Sequence, residues 1–141
     1  MKRSATAVWK GDLKDGKGNL TTDSGILSDT LYSFKDRFEE GKGTNPEELI
    51  AAAHAGCFSM ALSGQLAKEG LTSDHIKTTA TVTLEKFDDG FAIPAIHLKV
   101  SVRIPNAPQS IFDKAAQQAK ENCPVSKLMR AKITMEATLE N

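Results

Sequence analysis

The chain has 141 residues, with 18 basic and 18 acidic side chains and a formal net charge of zero. This length favours a single domain over residues 1–141 that buries roughly two thirds of its unfolded surface. The balanced charge weighs against a nucleic-acid-binding protein, which normally carries a basic stripe, and 40% hydrophobic with 26% charged residues weighs against disorder.

Short strands and turns are predicted for the first 45 residues. Thr6, Val8 and Trp9 indicate a strand, and the segments 11–12 and 15–18 have turn chemistry because they contain glycine. The segments 20–22 and 25–34 extend this into a small meander. Residues 36–44 are polar and contain glycine, so they are predicted to form a loop.

The strongest helix signal follows this loop. Asn45 is a suitable N-cap, Pro46 suits the first helical position, and Glu48 stands where a capping box places its carboxylate. The helix is predicted to run to about Lys68, and Gly70 is a suitable stop. Apolar residues lie on nearly all of its faces, so we expect it to be buried.

The second half of the chain predicts a hairpin, two helices and a last strand. Apolar residues alternate over 76–84 and 96–104, which indicates two strands with one buried face each, and Asp89-Gly90 marks the turn between them. Helices are predicted at 110–121 and 124–129, and a strand at 132–140. The fold class is therefore α+β, with antiparallel sheets wrapped around a central helix.

The sequence predicts a cytoplasmic protein. The most apolar stretch, 49–62, falls short of the ~20 apolar residues that a membrane-spanning helix needs, so no membrane segment is expected. The N-terminus, MKRSATAVWKGD, has no apolar core and predicts no secretory signal. In the cytoplasm, disulfides are usually transient and catalytic rather than structural.

The two cysteines, Cys57 and Cys123, are therefore the first residues to explain. Cys57 lies inside the predicted buried helix, where a cysteine is usually an inert small hydrophobe. Cys123 precedes Pro124 and so is predicted to cap a short helix, where it is either a thiolate favoured by free N–H groups or simply a weakly preferred cap residue. The pair forms either a structural disulfide, which contributes roughly 4 kcal/mol, or a redox pair in which one thiol attacks and the other resolves.

Two segments around these cysteines resemble the OsmC/Ohr family of peroxide-reducing proteins. They are 37–49, RFEEGKGTNPEEL, and 53–62, AHAGCFSMAL. The opening 9–12, WKGD, and the later 123–126, CPVS, are similar to the OsmC branch. The resemblance covers nearly the whole chain, and it implies an OsmC-like fold and an intertwined homodimer with two sites at the subunit boundary.

The resemblance also implies a thiol peroxidase that needs no cofactor and no metal. It makes Cys57 the peroxidatic thiol and Cys123 the resolving thiol. Arg37 becomes the partner of the thiolate and the peroxide, and Glu47 the carboxylate that orients Arg37. It implies an organic hydroperoxide (or hydrogen peroxide) as substrate and an external thiol or lipoyl-type dithiol as reductant. The balanced charge and the apolar pattern of the sequence predict neither nucleic acid nor membrane as partner.

The chemistry of peroxide cleavage supports this set of residues independently. A thiolate cleaves the O–O bond, and a buried thiol ionises less than a free one of pKa near 8.5. One arginine at about 4 Å offsets this by up to ~4 kcal/mol, and its second edge can bind a carboxylate such as Glu47. Because ten residues of straight helix span ~15 Å, Glu47 and Cys57 cannot share an arginine unless the helix breaks or a second subunit completes the site.

Other residues carry weaker hypotheses. Phe34, Phe38, Phe58 and Met60 are apolar candidates for binding the organic part of a hydroperoxide, although each suits a simple core position. His54, three residues before Cys57, is interpreted as a core or dimer-contact residue in preference to the base of a Cys–His hydrolase. The competing function is a non-catalytic dimeric thiol redox sensor or small-molecule binder, which would not need a resolving thiol.

Overall fold

The chain alternates short β-rich and helical segments in the order β1–β2–β3–α1–α2–β4–β5–α3–α4–β6. The structure is a computed structural model and describes residues 1–140. The strands are β1 (Ala5–Lys10), β2 (Lys17–Thr22), β3 (Thr30–Ser33), β4 (His75–Phe87), β5 (Gly90–Arg103) and β6 (Lys132–Glu140). The helices are α1 (Phe34–Phe38), α2 (Pro46–Lys68), α3 (Gln109–Asn122) and α4 (Pro124–Leu128).

The chain divides into two units, which are described separately: an N-terminal unit, Met1–Leu49, and a C-terminal unit, Ile50–Asn141. The expectation of one domain over 1–141 stays a prediction. The N-terminal unit contains an antiparallel sheet of order β1-β2-β3, as the turn chemistry of its sequence predicts. A short helix, α1, follows β3 directly, so the prediction that 36–44 is entirely loop is wrong at its first residues.

Helix α2 starts after the predicted N-cap, Asn45, and ends before the predicted stop, Gly70. Asn45 Oδ1 accepts a hydrogen bond from the Glu48 N–H at 2.8 Å, while the Glu48 carboxylate accepts from Thr44 Oγ1 at 2.8 Å. At the other end, Gly70 has a φ of +72°, and the Leu71 N–H donates to the Leu66 carbonyl. This pairing closes the last turn in the left-handed conformation that glycine adopts without strain.

Helix α2 is also long and apolar enough, by length and composition alone, to cross a membrane. The sequence-based expectation that no segment is long and apolar enough to cross a membrane therefore does not hold for α2 by these two criteria. The core helix of a soluble protein passes the same test, so this single helix is weak evidence for a membrane span.

The C-terminal unit has a three-stranded sheet of order β4-β5-β6. Strands β4 and β5 form the predicted antiparallel hairpin, but β6 runs parallel to β5. The expectation of purely antiparallel sheets is wrong at this pair, because α3 and α4 carry the chain back before β6 begins. Apolar residues of α2, α3 and the buried sheet face form one core: Phe58, Leu62, Leu66, Leu98, Val100, Val102, Ile104, Phe112, Ala115, Ala116, Ala119 and Leu139.

Candidate active site

The two cysteines meet in the C-terminal unit. Cys57 lies on α2, and Cys123 joins α3 to α4. Both are free thiols, and their side chains are hydrogen-bonded to each other. Cys123 is fully buried, whereas Cys57 keeps part of its surface accessible. Cys57 is thus the more accessible of two neighbouring thiols.

The backbone around Cys123 holds it in this place. Its N–H donates to the Ala119 carbonyl at 2.9 Å, which ends α3, and its carbonyl accepts from the Lys127 N–H at 3.0 Å, which starts α4. Pro124 follows at the first helical position, where the missing N–H costs nothing. The sequence predicts this capping position for Cys123.

The surroundings of Cys57 act on its ionisation in opposite directions. Burial raises the pKa of the Cys57 thiol, and the hydrogen bond with the Cys123 side chain raises it further. The backbone N–H of Val125, in the first turn of α4, hydrogen-bonds to the sulfur and lowers this pKa. None of these principal influences on the Cys57 thiol is a cation.

A buried polar pair lies next to the cysteines. His54 Nε2 is 2.8 Å from Ser126 Oγ, which joins α2 to α4. Both residues are buried, and burial lowers the pKa of the His54 imidazole, so the ring is neutral at pH 7. The sequence-based interpretation of His54 as a core residue fits this placement, but the serine partner, 72 residues away, has no signal in the sequence.

The N-terminal unit joins Arg37 to Glu47. Arg37 Nη2 donates to Glu47 Oε1 at 2.7 Å, and Arg37 Nε donates to Oε1 and Oε2 at 3.0 and 3.2 Å. The guanidinium also lies over the Phe38 ring, 5.3 Å from its centroid. The Glu47 side chain is 13% exposed and that of Arg37 is 35% exposed. A carboxylate this buried fixes the guanidinium, because its charge has one strong partner.

Asp36 organises the loop that carries this ion pair. Its carboxylate accepts hydrogen bonds from Ser33 Oγ and from the Gly43 N–H, each at 2.6 Å. Its carbonyl accepts from Asn45 Nδ2 at 2.9 Å, which links α1 to the N-cap of α2. The bond from Ser33, and next the bond from Gly43, lower the pKa of the Asp36 carboxyl. Asp36 therefore ties together the two segments that present Arg37 and Glu47.

An apolar pocket of about 260 Å³ lies beside Arg37 in the N-terminal unit. Phe34 and Phe38 line it, with ring centroids 4.7 Å apart. Its other lining residues are Trp9, Leu13, Tyr32, Ser33, Arg37 and Pro46. A cavity of ~150 Å³ is enough to hold benzene, so this pocket has room for an aryl or short alkyl group.

The remaining substrate-binding candidates from the sequence lie elsewhere. Phe58 is fully buried in the core of the C-terminal unit, which leaves it no accessible surface for a ligand. Met60 is 79% exposed on the outer face of α2. Sequence reasoning missed Trp9, Leu13 and Tyr32, which come from separate segments and meet only when the sheet forms. Among residues 1–140, no group of three or more His, Cys, Asp or Glu side chains is placed to hold a metal ion.

Comparison with known proteins gives the family. The sequence model of the family described as OsmC-like protein matches residues 39–138. The chain is 51% identical over 139 residues to Peroxiredoxin OsmC of Escherichia coli (strain K12), covering 99% of this chain and 97% of that protein. It is 33% identical over 121 residues to an organic hydroperoxide resistance protein-like protein of Staphylococcus aureus (strain MSSA476), covering 85% and 84% of the two chains.

Solved structures share the fold. An OsmC-like protein of unknown function from Vibrio cholerae aligns with a TM-score of 0.79 at 19% identity, covering 98% of this chain and 99% of that one. The organic hydroperoxide resistance protein OhrB of Bacillus subtilis aligns with a TM-score of 0.67 at 26% identity, covering 97% and 98%. The expected α+β, OsmC-like fold is confirmed, and the chain belongs to the OsmC family.

Proposed function

We propose that this chain is a cysteine-based peroxidase that reduces organic hydroperoxides, and also hydrogen peroxide, in the cytoplasm. The observation that carries the proposal is the contact between the Cys57 and Cys123 side chains, both free, with Cys57 the more accessible. The full-length likeness to a protein named peroxiredoxin supports the same chemistry.

The proposed cycle has three steps. The Cys57 thiolate attacks a peroxide oxygen, the O–O bond breaks, and the alkoxide leaves and takes a proton to become an alcohol, while Cys57 becomes a sulfenic acid. The Cys123 thiol then forms an S–S bond with Cys57, and the sulfenic oxygen leaves as water. An external thiol or lipoyl-type dithiol reduces the disulfide by exchange.

Arg37 supplies the positive charge that the cycle requires. The pKa of Cys57 is raised within its own unit, so the thiolate needs a cation from elsewhere. The ion pair with Glu47 holds the Arg37 guanidinium by one edge and leaves donors for a sulfur or a peroxide. Phe34 and Phe38 of the neighbouring pocket then receive the organic part of the substrate.

The functional molecule is a homodimer in which Arg37 and Glu47 of one copy act on Cys57 of the other. Helix α2 is continuous from Pro46 to Lys68, so no break brings Glu47 towards Cys57 along the helix. The outer face of α2 is exposed and mostly made of small residues, which permits close approach of a second backbone. These exposed residues are Ala52, Ala53, Gly56, Met60, Ser63, Gly64 and Ala67.

A turnover assay tests the proposed function. Reduced protein is incubated with cumene hydroperoxide and excess dithiol, and peroxide loss is followed over many equivalents. We expect continuous consumption that Cys57→Ser abolishes, whereas Cys123→Ser accumulates sulfenic or overoxidised Cys57. Consumption that stops after one equivalent would instead identify a stoichiometric redox sensor.

A further inference from the structure

Two contacts between α2 and the start of α4 involve the Cys57 sulfur, one with the Cys123 side chain and one with the Val125 N–H. A third, between His54 Nε2 and Ser126 Oγ at 2.8 Å, does not involve sulfur. His54 lies three residues before Cys57, and Ser126 lies three residues after Cys123. Each member of the polar pair is therefore about one helical turn from a cysteine, along the same two elements.

The His54 ring is placed to hold α2 and α4 together rather than to transfer a proton. It is fully buried, its Nδ1 has no hydrogen-bond partner among the described residues, and burial lowers the pKa of the imidazole. An unpaired lone pair is tolerated better in a protein interior than an unpaired N–H, which favours the tautomer whose Nε2 carries the hydrogen and donates to Ser126. The principal influences on the Cys57 thiol are burial, Cys123 and Val125, and His54 is not one of them.

We propose that His54 and Ser126 form a positioning link that keeps α4, and with it Cys123, against Cys57 after Cys57 has been oxidised. The inference rests on the proposed function. In the reduced state the thiols also contact each other. Once Cys57 carries a hydroxyl group, that thiol–thiol contact is replaced, while the His54–Ser126 bond is chemically unchanged. The link therefore favours the capture of the sulfenic acid by Cys123, in which an S–S bond forms, the S–O bond breaks and water leaves.

The test separates the attack of peroxide from the capture of the sulfenic acid. Reduced protein is mixed with cumene hydroperoxide without reductant, and peroxide loss, disulfide formation and the final fraction of Cys57 sulfinic acid are measured. Ser126→Ala removes the hydrogen-bonding partner on α4, and His54→Phe removes the partner on α2. His54→Gln is the conservative variant, since its amide nitrogen can still donate to Ser126. Thr78→Val is the control, because it removes a part-buried hydrogen bond of equal length, 2.8 Å, which joins Ser59 of α2 to Thr78 of β4.

We expect Ser126→Ala to slow disulfide formation about tenfold, the size expected from one buried hydrogen bond, while the rate of peroxide attack changes by less than about twofold. The sulfinic acid fraction rises accordingly, and His54→Gln lies closer to wild type than His54→Phe. Thr78→Val loses stability but keeps the wild-type ratio of capture to attack.

Disulfide formation at the wild-type rate in Ser126→Ala would overturn the inference, even if His54→Phe fails to fold. A slowing in Thr78→Val equal to that in Ser126→Ala would also overturn it, since general loss of stability would then explain both. If wild-type protein consumes peroxide but forms no disulfide between Cys57 and Cys123, the proposed function fails. That result is distinguishable, because it appears without any variant.

Discussion

Arg37 donates hydrogen bonds to the Glu47 carboxylate from two nitrogen atoms, Nε and Nη2, and the shortest of these bonds is 2.7 Å. The carboxylate is the more buried partner, so the arginine is oriented by a group that has little freedom to move. A guanidinium bound by one edge keeps N–H groups on its other edge for a second anion. In the proposed mechanism those N–H groups bind the Cys57 thiolate or an oxygen of the neutral peroxide.

Arg37→Met is expected to raise the pKa of the Cys57 thiol and to lower kcat/KM at pH 7 by tenfold or more, on the order of the loss of one nearby charge. Removing a cation disfavours the thiolate, so the inflection in the rate of Cys57 alkylation against pH moves to higher pH. Compared with Arg37→Met, Arg37→Lys restores the positive charge but not the contact of two nitrogen atoms with Glu47, so it recovers part of the activity. Arg103→Met, which removes an exposed arginine paired with Asp74, is the control and leaves the inflection in place.

Mixing the inactive Cys57→Ser variant with the weakly active Arg37→Met variant tests whether Arg37 acts on the other copy. Refolded mixtures of Cys57→Ser with Arg37→Met are expected to recover about a quarter of wild-type activity, because half of the dimers are mixed and each has one complete site. Mixtures of Cys57→Ser with Cys123→Ser are the control. These stay inactive, since the two cysteines meet within one chain. No recovery in the first mixture would place Arg37 and Cys57 of the same copy together.

Leu13→Ala is expected to lower kcat/KM for cumene hydroperoxide about threefold to tenfold, because it removes apolar surface from the pocket. The rate with hydrogen peroxide, which has no organic group, stays the same. Leu13 is 72% exposed, so its truncation costs the fold little. Ile26→Ala truncates another exposed residue of the same unit, 85% exposed and outside the pocket, and changes neither rate. Equal losses for both peroxides would argue that the pocket does not bind the organic group.

The Asp36 carboxyl is expected to make stability depend on pH in the acid range. Its pKa is lowered in the folded protein, first by the bond from Ser33. The stabilisation is therefore complete above the unfolded pKa of ~3.9 and is lost as the pH falls through the lower, folded value. Asp36→Asn lowers the free energy of unfolding at pH 7 by about 1–2 kcal/mol, and the difference from wild type shrinks towards pH 2.

Urea unfolding at several pH values measures this difference. Asp12→Asn is the control, because Asp12 is an exposed carboxylate that accepts two hydrogen bonds, from the Lys14 and Asp15 N–H groups, in the same unit. A difference for Asp36→Asn that stays constant from pH 7 to pH 2 would show that the carboxylate charge is not what stabilises the loop.

Local patterns made some of this architecture predictable. The N-cap at Asn45 and the stop at Gly70 act on neighbouring residues, so their chemistry is visible in the sequence. The alternation in β6 correctly marks its buried face, but alternation is the same in parallel and antiparallel strands, which is why its direction was missed. Helix α1 has only five residues, and its one signal is Ser33 three positions before Asp36.

The candidate site likewise has some residues that the sequence made predictable and others that it did not. The family resemblance singled out Arg37 and Glu47, and their pairing lies within ten residues of sequence. The partners of Trp9 and Leu13 in the pocket, and of His54 in the core, come from distant segments. Long-range contacts of this kind follow from tertiary packing, to which a single sequence gives no direct access.

Cys57 and Cys123 are 66 positions apart in the sequence and meet only in the folded chain. The proposed reactivity of this protein therefore depends on its state of folding. During synthesis, the first sulfur leaves the ribosome well before the second, and α4 docks only after both have emerged. A growing chain therefore has no neighbouring thiol to rescue an oxidised Cys57 from the irreversible sulfinic and sulfonic states. In the proposed mechanism, the arginine that activates the sulfur also depends on tertiary structure. An unfinished chain then carries an ordinary, slowly reacting thiol. The reactivity of Cys57 and its protection by Cys123 arise together, when the chain folds.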